Sequence, residues 1–176
     1  FLKRLFNSNN FELILALTDQ HLSKKFGYTI EEVSNDFKNL KLLPLGEYGP
    51  EAKDRSYAMA TLQRLLTDAL IETKPDYLVV YGDRAESLIG SFVATLLSIK
   101  VIHFQGGDKS GSVDEHLRHA ITKLSHIHFV STNEYKRRVI QLGECQKNVF
   151  NVGSLGVEAI KKTNFISKTS LEKQLK

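Results

Sequence analysis

The chain has 176 residues, 41% of them hydrophobic and 25% charged, which is the length of one domain or at most two and the composition of a globular protein rather than a disordered segment. Its 24 basic and 20 acidic residues leave a net +4, and residues 161–176, with five lysines and Glu172, carry all of it. A neutral body with a short basic tail lacks the broad basic face of a nucleic-acid binder. No apolar run approaches the ~18 residues of a membrane span. A single cysteine, Cys145, excludes an internal disulfide framework or a multi-cysteine zinc site and fits a reducing cytosol.

Residues 1–6 carry no initiator Met and have the pattern of the last turns of an amphipathic helix. They are followed too soon by Asn7-Ser8-Asn9-Asn10 to form a signal peptide. Residues 11–17 form a short apolar run suited to a buried strand, and the polar, glycine-containing stretch 41–54 reads as a long loop, mobile or functional. Apolar side chains at 58/59, 62, 65/66 and 69/70 predict a helix over 55–74, stopped by Pro75. Residues 77–81 are a strand apolar on both faces, and Gly82-Asp83-Arg84 turns the chain into a helix carrying Leu88, Ile89, Phe92, Val93, Leu96 and Leu97.

A strand over 101–104 ends at Gly106-Gly107, and a helix over 114–125 places Leu117, Ile121 and Leu124 on one side. A strand over 126–130 follows, then a helix capped by Asn133 and stopped at Gly143, and a strand over 149–152 closed by Gly153. The chain ends in helix-like residues 170–176, and both ends read as cuts through a longer protein. Strands separated by helices of this length build a parallel sheet covered on both faces, so the fold class is α/β.

In such sheets ligands sit beyond the C-terminal ends of the strands. There the sequence places Gly82-Asp83-Arg84, the run from Gln105 to Glu115, Ser131-Thr132-Asn133 and Gly153-Ser154. Carboxylates and glycines thus cluster where a polar ligand would lie, and helix N-termini at that edge favour a phosphate. Neither a Walker A sequence nor G-x-G-x-x-G is present, which argues against a nucleotide triphosphatase or a dinucleotide dehydrogenase. Several of these residues also have local structural readings. Asp83 stands where a helix N-cap could be, Ser112-x-x-Glu115 fits a capping box, and Asp114 and Arg118 are spaced for a helical ion pair. His126 and His128 share one side of a strand without a third metal ligand at supporting spacing. Cys145 reads as a passive thiol.

The order of these pieces resembles the UDP-N-acetylglucosamine 2-epimerases from about residue 11 to 160. The block G-G-x-x-S-G-x-x-D-E at 106–115, followed by Arg118-His119-Ala120-Ile121-Thr122-Lys123-Leu124, is similar to the UDP-hydrolysing branch, which makes N-acetylmannosamine for sialic acid synthesis. Thr18-Asp19-Gln20-His21-Leu22-Ser23 and Val152-Gly153-Ser154 resemble segments of the same branch.

The resemblance implies one half of a GT-B-like enzyme. Residues 1–160 would be a Rossmann-like N-terminal domain without its first strand, residues 161–176 a basic inter-domain segment, and the C-terminal domain absent. It also implies C2 deprotonation, loss of UDP and hydration of a glucal intermediate, with Asp83, Gln105 and Asp114 at the three acidic positions of the family. Substrate-binding positions implied are His21, Arg84, His103, Gly106, Gly107, Ser110, Glu115, Arg118, His126, His128 and Ser154. Arg118 and the histidines would line or brace the pocket, and Gly106 and Gly107 would bring backbone N–H groups close to the sugar. No cofactor or metal is implied, the partner is a UDP-sugar rather than nucleic acid or membrane, and the full-length protein would be a cytoplasmic homo-oligomer, dimer or tetramer.

Two positions depart from the family. Its glutamate is Gln105 here, which can hydrogen-bond a hydroxyl but cannot exchange a proton in the ordinary pH range, and a histidine before the Gly-Asp pair is Tyr81. The alternatives are therefore a UDP-2,4-diacetamido-trideoxyhexose hydrolase of the legionaminic acid route, a catalytically silent nucleotide-sugar-binding paralogue, and a GT-B glycosyltransferase.

Overall fold

In the computed structural model, which describes residues 1–38, 40–46 and 52–175, helices and strands alternate along the chain. The order is α1 (Leu2–Phe6), β1 (Ile14–Leu17), α2 (Ile30–Asp36), β2 (Lys41–Pro44), α3 (Ala52–Thr73), β3 (Tyr77–Tyr81), α4 (Ala85–Leu96), β4 (Lys100–Phe104), α5 (Val113–Lys123), β5 (Ile127–Val130), α6 (Asn133–Gln141), β6 (Val149–Asn151), α7 (Leu155–Lys162) and α8 (Lys168–Gln174). Strands β3 to β6 lie side by side in chain order, all parallel. A helical crossover joins each to the next, as a parallel pair requires.

Period-two alternation sorts the strand residues between two faces. On one face Leu78, Val80 and Val101 meet Leu62 and Leu66 of α3, Val93 and Ala94 of α4, and Ile121 of α5. Further along the same sheet Val130 and Val149 pack on Val139 of α6. Each buried Leu or Ile contributes about 1.5–3 kcal/mol, so this face anchors α3 to α6. On the other face Phe104, Phe129 and Phe150 stand in register, with ring centroids 4.8 and 5.6 Å apart, and Phe1 beside α1 tilts against Phe104 at 4.9 Å. Strand β3, apolar on both faces in sequence, is buried on only one, since Tyr77, Val79 and Tyr81 are exposed.

The single sheet expected from the alternation is divided in two. Strands β1 and β2 form their own parallel pair, from Ile14↔Lys41 to Leu17↔Pro44, and β1 is not hydrogen-bonded to β3. Just beyond the C-terminal ends of β1 and β3, Arg84 Nη2 lies 2.9 Å from Asp19 Oδ2. Beside these strands is a cavity of about 470 Å³ whose lining includes Leu15, Leu17, Leu62, Leu66, Leu78 and Val80.

Other differences from the sequence reading are local. Residues 41–44 are a strand rather than part of a loop, and α3 begins at Ala52. The rest of that expected loop, residues 47–51, lies outside the described residues. Helices α2 and α7 were not foreseen, and α7 crosses the expected division after residue 160. Helix α6 is capped by Thr132, whose hydroxyl accepts from Tyr135 N at 3.2 Å, not by Asn133. The Asn133 side-chain Oδ1 instead accepts from Asn151 Nδ2 at 2.9 Å. Among the described residues no helix is long and apolar enough to cross a membrane.

Candidate functional site

The C-terminal tips of β3 and β4 build the site. Strand pairing continues one step past β3, with Gly82 N donating to Phe104 O at 3.0 Å, and Gly82 takes φ +75°, a conformation glycine adopts without steric cost. The next residue, Asp83, sends its carboxylate to the Arg118 guanidinium of α5. The N-cap of α4 is Arg84, so Asp83 serves that ion pair and not the helix end.

Arg118 is largely buried, and its Nη1 donates to Asp108 O at 3.0 Å. The helical pair Asp114–Arg118 expected from the spacing does not form, because the guanidinium turns to Asp83. Asp114 lies one turn earlier on the same helix, exposed, and accepts from Ser112 Oγ at 3.1 Å.

Gln105 lies next to Gly82 on the neighbouring strand tip. It has φ +67°, unusual for a residue with a side chain, while its N donates to Phe129 O at 2.9 Å and keeps it tied to β5. Its Oε1 lies 4.0 Å from the point a Gly82 Cβ would occupy, so the amide leans over the Gly82-Asp83 turn. Asp83 and Gln105 thus stand at adjacent strand tips, and Asp114 lies in the first turn of α5, the helix that carries Arg118 to Asp83. Non-glycine residues held at positive φ concentrate at functional sites.

The expected capping box takes a different form. Ser112 is at the N-cap of α5, but its hydroxyl faces Asp114. Glu115 reaches back to accept from Gly111 N at 2.8 Å and Ser110 N at 3.0 Å, and these bonds, Gly111 first, hold its carboxyl below the usual range. Ser110 Oγ lies 3.2 Å from Ser112 Oγ. The glycines have packing reasons: a Cβ on Gly107, at φ +82°, would stand 2.6 Å from Tyr135 O, and one on Gly106 would stand 3.0 Å from Thr122 Oγ1.

The remaining residues divide by position. Arg84 is exposed and bonds Asp19 and Glu86, with the Glu86 hydrogen bond the main cause of its raised pKa. His21, exposed, pairs through Nδ1 with Thr29 Oγ1 at 2.8 Å. Ser154 caps α7 by accepting from Val157 N at 3.4 Å.

His103 is fully buried and bonded to the Gly82 carbonyl. His126 and His128 are not brought to this edge. His126 precedes β5 and its Nδ1 accepts from Val101 N at 3.2 Å. His128 is buried, its Nε2 3.3 Å from Glu144 in the turn before β6, at the opposite end of the strands. Burial pushes its pKa down, against the pull of Glu144. Among the described residues no three His, Cys, Asp or Glu side chains are grouped as a metal needs.

Four contributors escaped the sequence reading. Asp19 (φ +47°) holds Arg84, Arg138 donates to Gly107 O, Tyr135 bonds Asp108, which raises the phenol pKa, and Thr122 meets His103. Asp19 lay within the recognised 18–23 segment. Thr122 lay within the recognised 118–124 segment, and Arg138 and Tyr135 depend on contacts between α6 and the 105–108 loop, which leave no local pattern.

A parallel sheet with helical crossovers and with helix N-termini at its C-terminal edge defines a Rossmann-like domain. The profile of the UDP-N-acetylglucosamine 2-epimerase family matches residues 3–176, and the chain belongs to that family.

It is 39% identical over 170 residues to the GDP/UDP-N,N'-diacetylbacillosamine 2-epimerase (hydrolyzing) of Campylobacter jejuni, covering 96% of this chain and 44% of that protein. It is 39% identical over 162 residues to the UDP-N,N'-diacetylbacillosamine 2-epimerase (hydrolyzing) of Legionella pneumophila, covering 90% and 42%. The crystal structure of the Neisseria meningitidis UDP-GlcNAc 2-epimerase bound to UDP-GlcNAc has the same fold, with TM-score 0.74 at 22% identity over 98% of this chain and 46% of that one. The chain therefore spans a little under half the length of these relatives.

Proposed function

We propose that the chain forms the N-terminal part of a hydrolysing 2-epimerase acting on a UDP-2-acetamido sugar. The observation that carries this reading is the Asp83–Arg118 ion pair at the tip of β3, with the Gln105 amide over the Gly82-Asp83 turn and Asp114 one turn before Arg118 on α5. A carboxylate accepts the proton from C2, the C1–O bond breaks with its electron pair leaving on UDP, and a glucal forms. Water then adds across the double bond, hydroxide to C1 and a proton to C2 from the face that gives the inverted centre. Two proton transfers at one carbon need two acid/base groups, and this reading assigns them to Asp83 and Asp114. Gln105 serves as a hydrogen-bonding group to the sugar. N–H groups at the starts of α5 and α6 are donors for the diphosphate. In the whole protein, residues 1–160 act as the N-terminal domain and residues 161–176 lead to a second one that closes the cleft, in a cytoplasmic homo-oligomer.

For the sugar, N-acetylglucosamine giving N-acetylmannosamine is the simplest substrate. A 2,4-diacetamido sugar is the second reading, favoured by the two diacetylbacillosamine epimerases at 39% identity, against 34% for the Neisseria meningitidis UDP-N-acetylglucosamine 2-epimerase. The test is UDP release and NMR identification of the freed sugar, with each UDP-sugar offered to the whole protein. Gln105→Glu should raise the rate by about 10²-fold or more, the usual worth of a positioned acid/base group. Binding without turnover in both forms would replace this reading with a silent binding module, and transfer to an acceptor sugar would replace it with a glycosyltransferase.

A further inference from the structure

The Gly82 carbonyl is buried at the strand tip, where an unpaired acceptor is costly, and its partner is a side chain: His103 Nε2 lies 2.8 Å away. A carbonyl only accepts, so Nε2 carries the hydrogen. The ring is neutral near pH 7, since burial holds its pKa far below that, and Nδ1 is then an acceptor. Thr122 Oγ1 stands 3.2 Å from Nδ1 and 3.0 Å from the Arg118 carbonyl one turn back on α5, so its single hydroxyl hydrogen lies between two acceptors. Gly106 seals the pair, a Cβ there coming within 3.1 Å of His103 Nδ1.

The contacts close a ring. From Gly82 the path runs through His103 and Thr122 to the Arg118 backbone, out along the Arg118 side chain to Asp83, and back to Gly82. We propose that His103, with Thr122, is a positioning residue that sets the Asp83 carboxylate against Arg118 by holding the Gly82 carbonyl. As a statement about catalysis this rests on Asp83 taking part in the reaction proposed above. As a statement about geometry it does not.

Three variants and two measurements test it. In the wild type, long-range ¹H–¹⁵N spectra should show His103 as the Nε2–H tautomer throughout neutral pH, with a sharp, slowly exchanging Arg118 Nε–H signal. Thr122→Val removes the hydroxyl at nearly constant shape and should mix the tautomers and broaden the Arg118 signal, while Thr122→Ser restores both. In turnover assays of the whole protein, His103→Phe should lower kcat by about 10²-fold, the size expected when a catalytic group shifts by ~1 Å, with KM changed less than about threefold. Thr122→Val should act in the same direction and less strongly.

A residue that merely filled space would leave the kcat-to-KM split and the Arg118 signal unmoved. An Nδ1–H tautomer in the wild type, or an Arg118 signal unchanged in folded Thr122→Val and His103→Phe, would overturn the proposal. If His103→Phe does not fold, Thr122→Val against Thr122→Ser decides. Absence of turnover in the wild type would instead count against the proposed reaction, and the spectra would still decide the clamp.

Discussion

Burial pushes the His103 imidazole from the ordinary 6.5 down to about 4. Between those values the unfolded chain binds a proton that the folded chain refuses, so stability falls as pH drops through that window and is complete only above about 6.5. The shift corresponds to a loss of about 3 kcal/mol by pH 4. Burial also lowers His119 and His128, with the same sign. Urea midpoints recorded from pH 7.5 to 4.5 should therefore decline steeply in the wild type and less steeply in His103→Gln, and equal slopes would show that His103 takes up its proton without unfolding. That residues 83, 105 and 114 stand beyond the strand ends was legible in the sequence, because the strands themselves are visible in it. The histidines at 126 and 128 were misplaced because alternation tells which side of a strand a residue faces, not which end its partner comes from. Arg118 was legible as a charge on α5, but its preference for Asp83 over Asp114 was not, being decided by how α5 docks on the β3 tip.

At the level of elements, the long periodic segments α3 to α6 and strands β3 to β6 were readable to within a few residues, since each has an apolar face that only one period explains. Strand β2 was hidden by its length and by Pro44 at its end. Helix α2, seven residues of Ile-Glu-Glu-Val-Ser-Asn-Asp, has too few apolar positions to set a period. The close approach of α6 to the 105–108 loop is the contact most sensitive to a small change. Gly107 combines φ +82° with a virtual Cβ 2.6 Å from Tyr135 O and 2.9 Å from Val139 Cγ2, and backbone cannot retreat as a flexible side chain does. Gly107→Ala should destabilise by about 2 kcal/mol or more and loosen the Arg138 bond to the Gly107 carbonyl. An unfolding midpoint within error of the wild type would mean that α6 shifts freely.

For the whole molecule the divided sheet is the main structural question. Among the described residues β1 pairs with β2 alone and β3 with β4 alone, and the cavity beside them is lined by Leu15, Leu17, Leu62, Leu66, Leu78 and Val80. A further parallel strand apolar on both faces would suit that lining and find backbone partners on both sides. Open edges of this kind invite pairing with other chains, so residues 1–176 alone should be prone to associate. Extending the chain upstream by an apolar strand should slow hydrogen exchange at the amides of 14–17 and 77–81 that face the cavity, and reduce association. A strand contributing about 2 kcal/mol would raise Tm by about 4–8 °C in a domain of this size. If the extended chain melts at the same temperature and those amides exchange as before, the cavity is not a strand site.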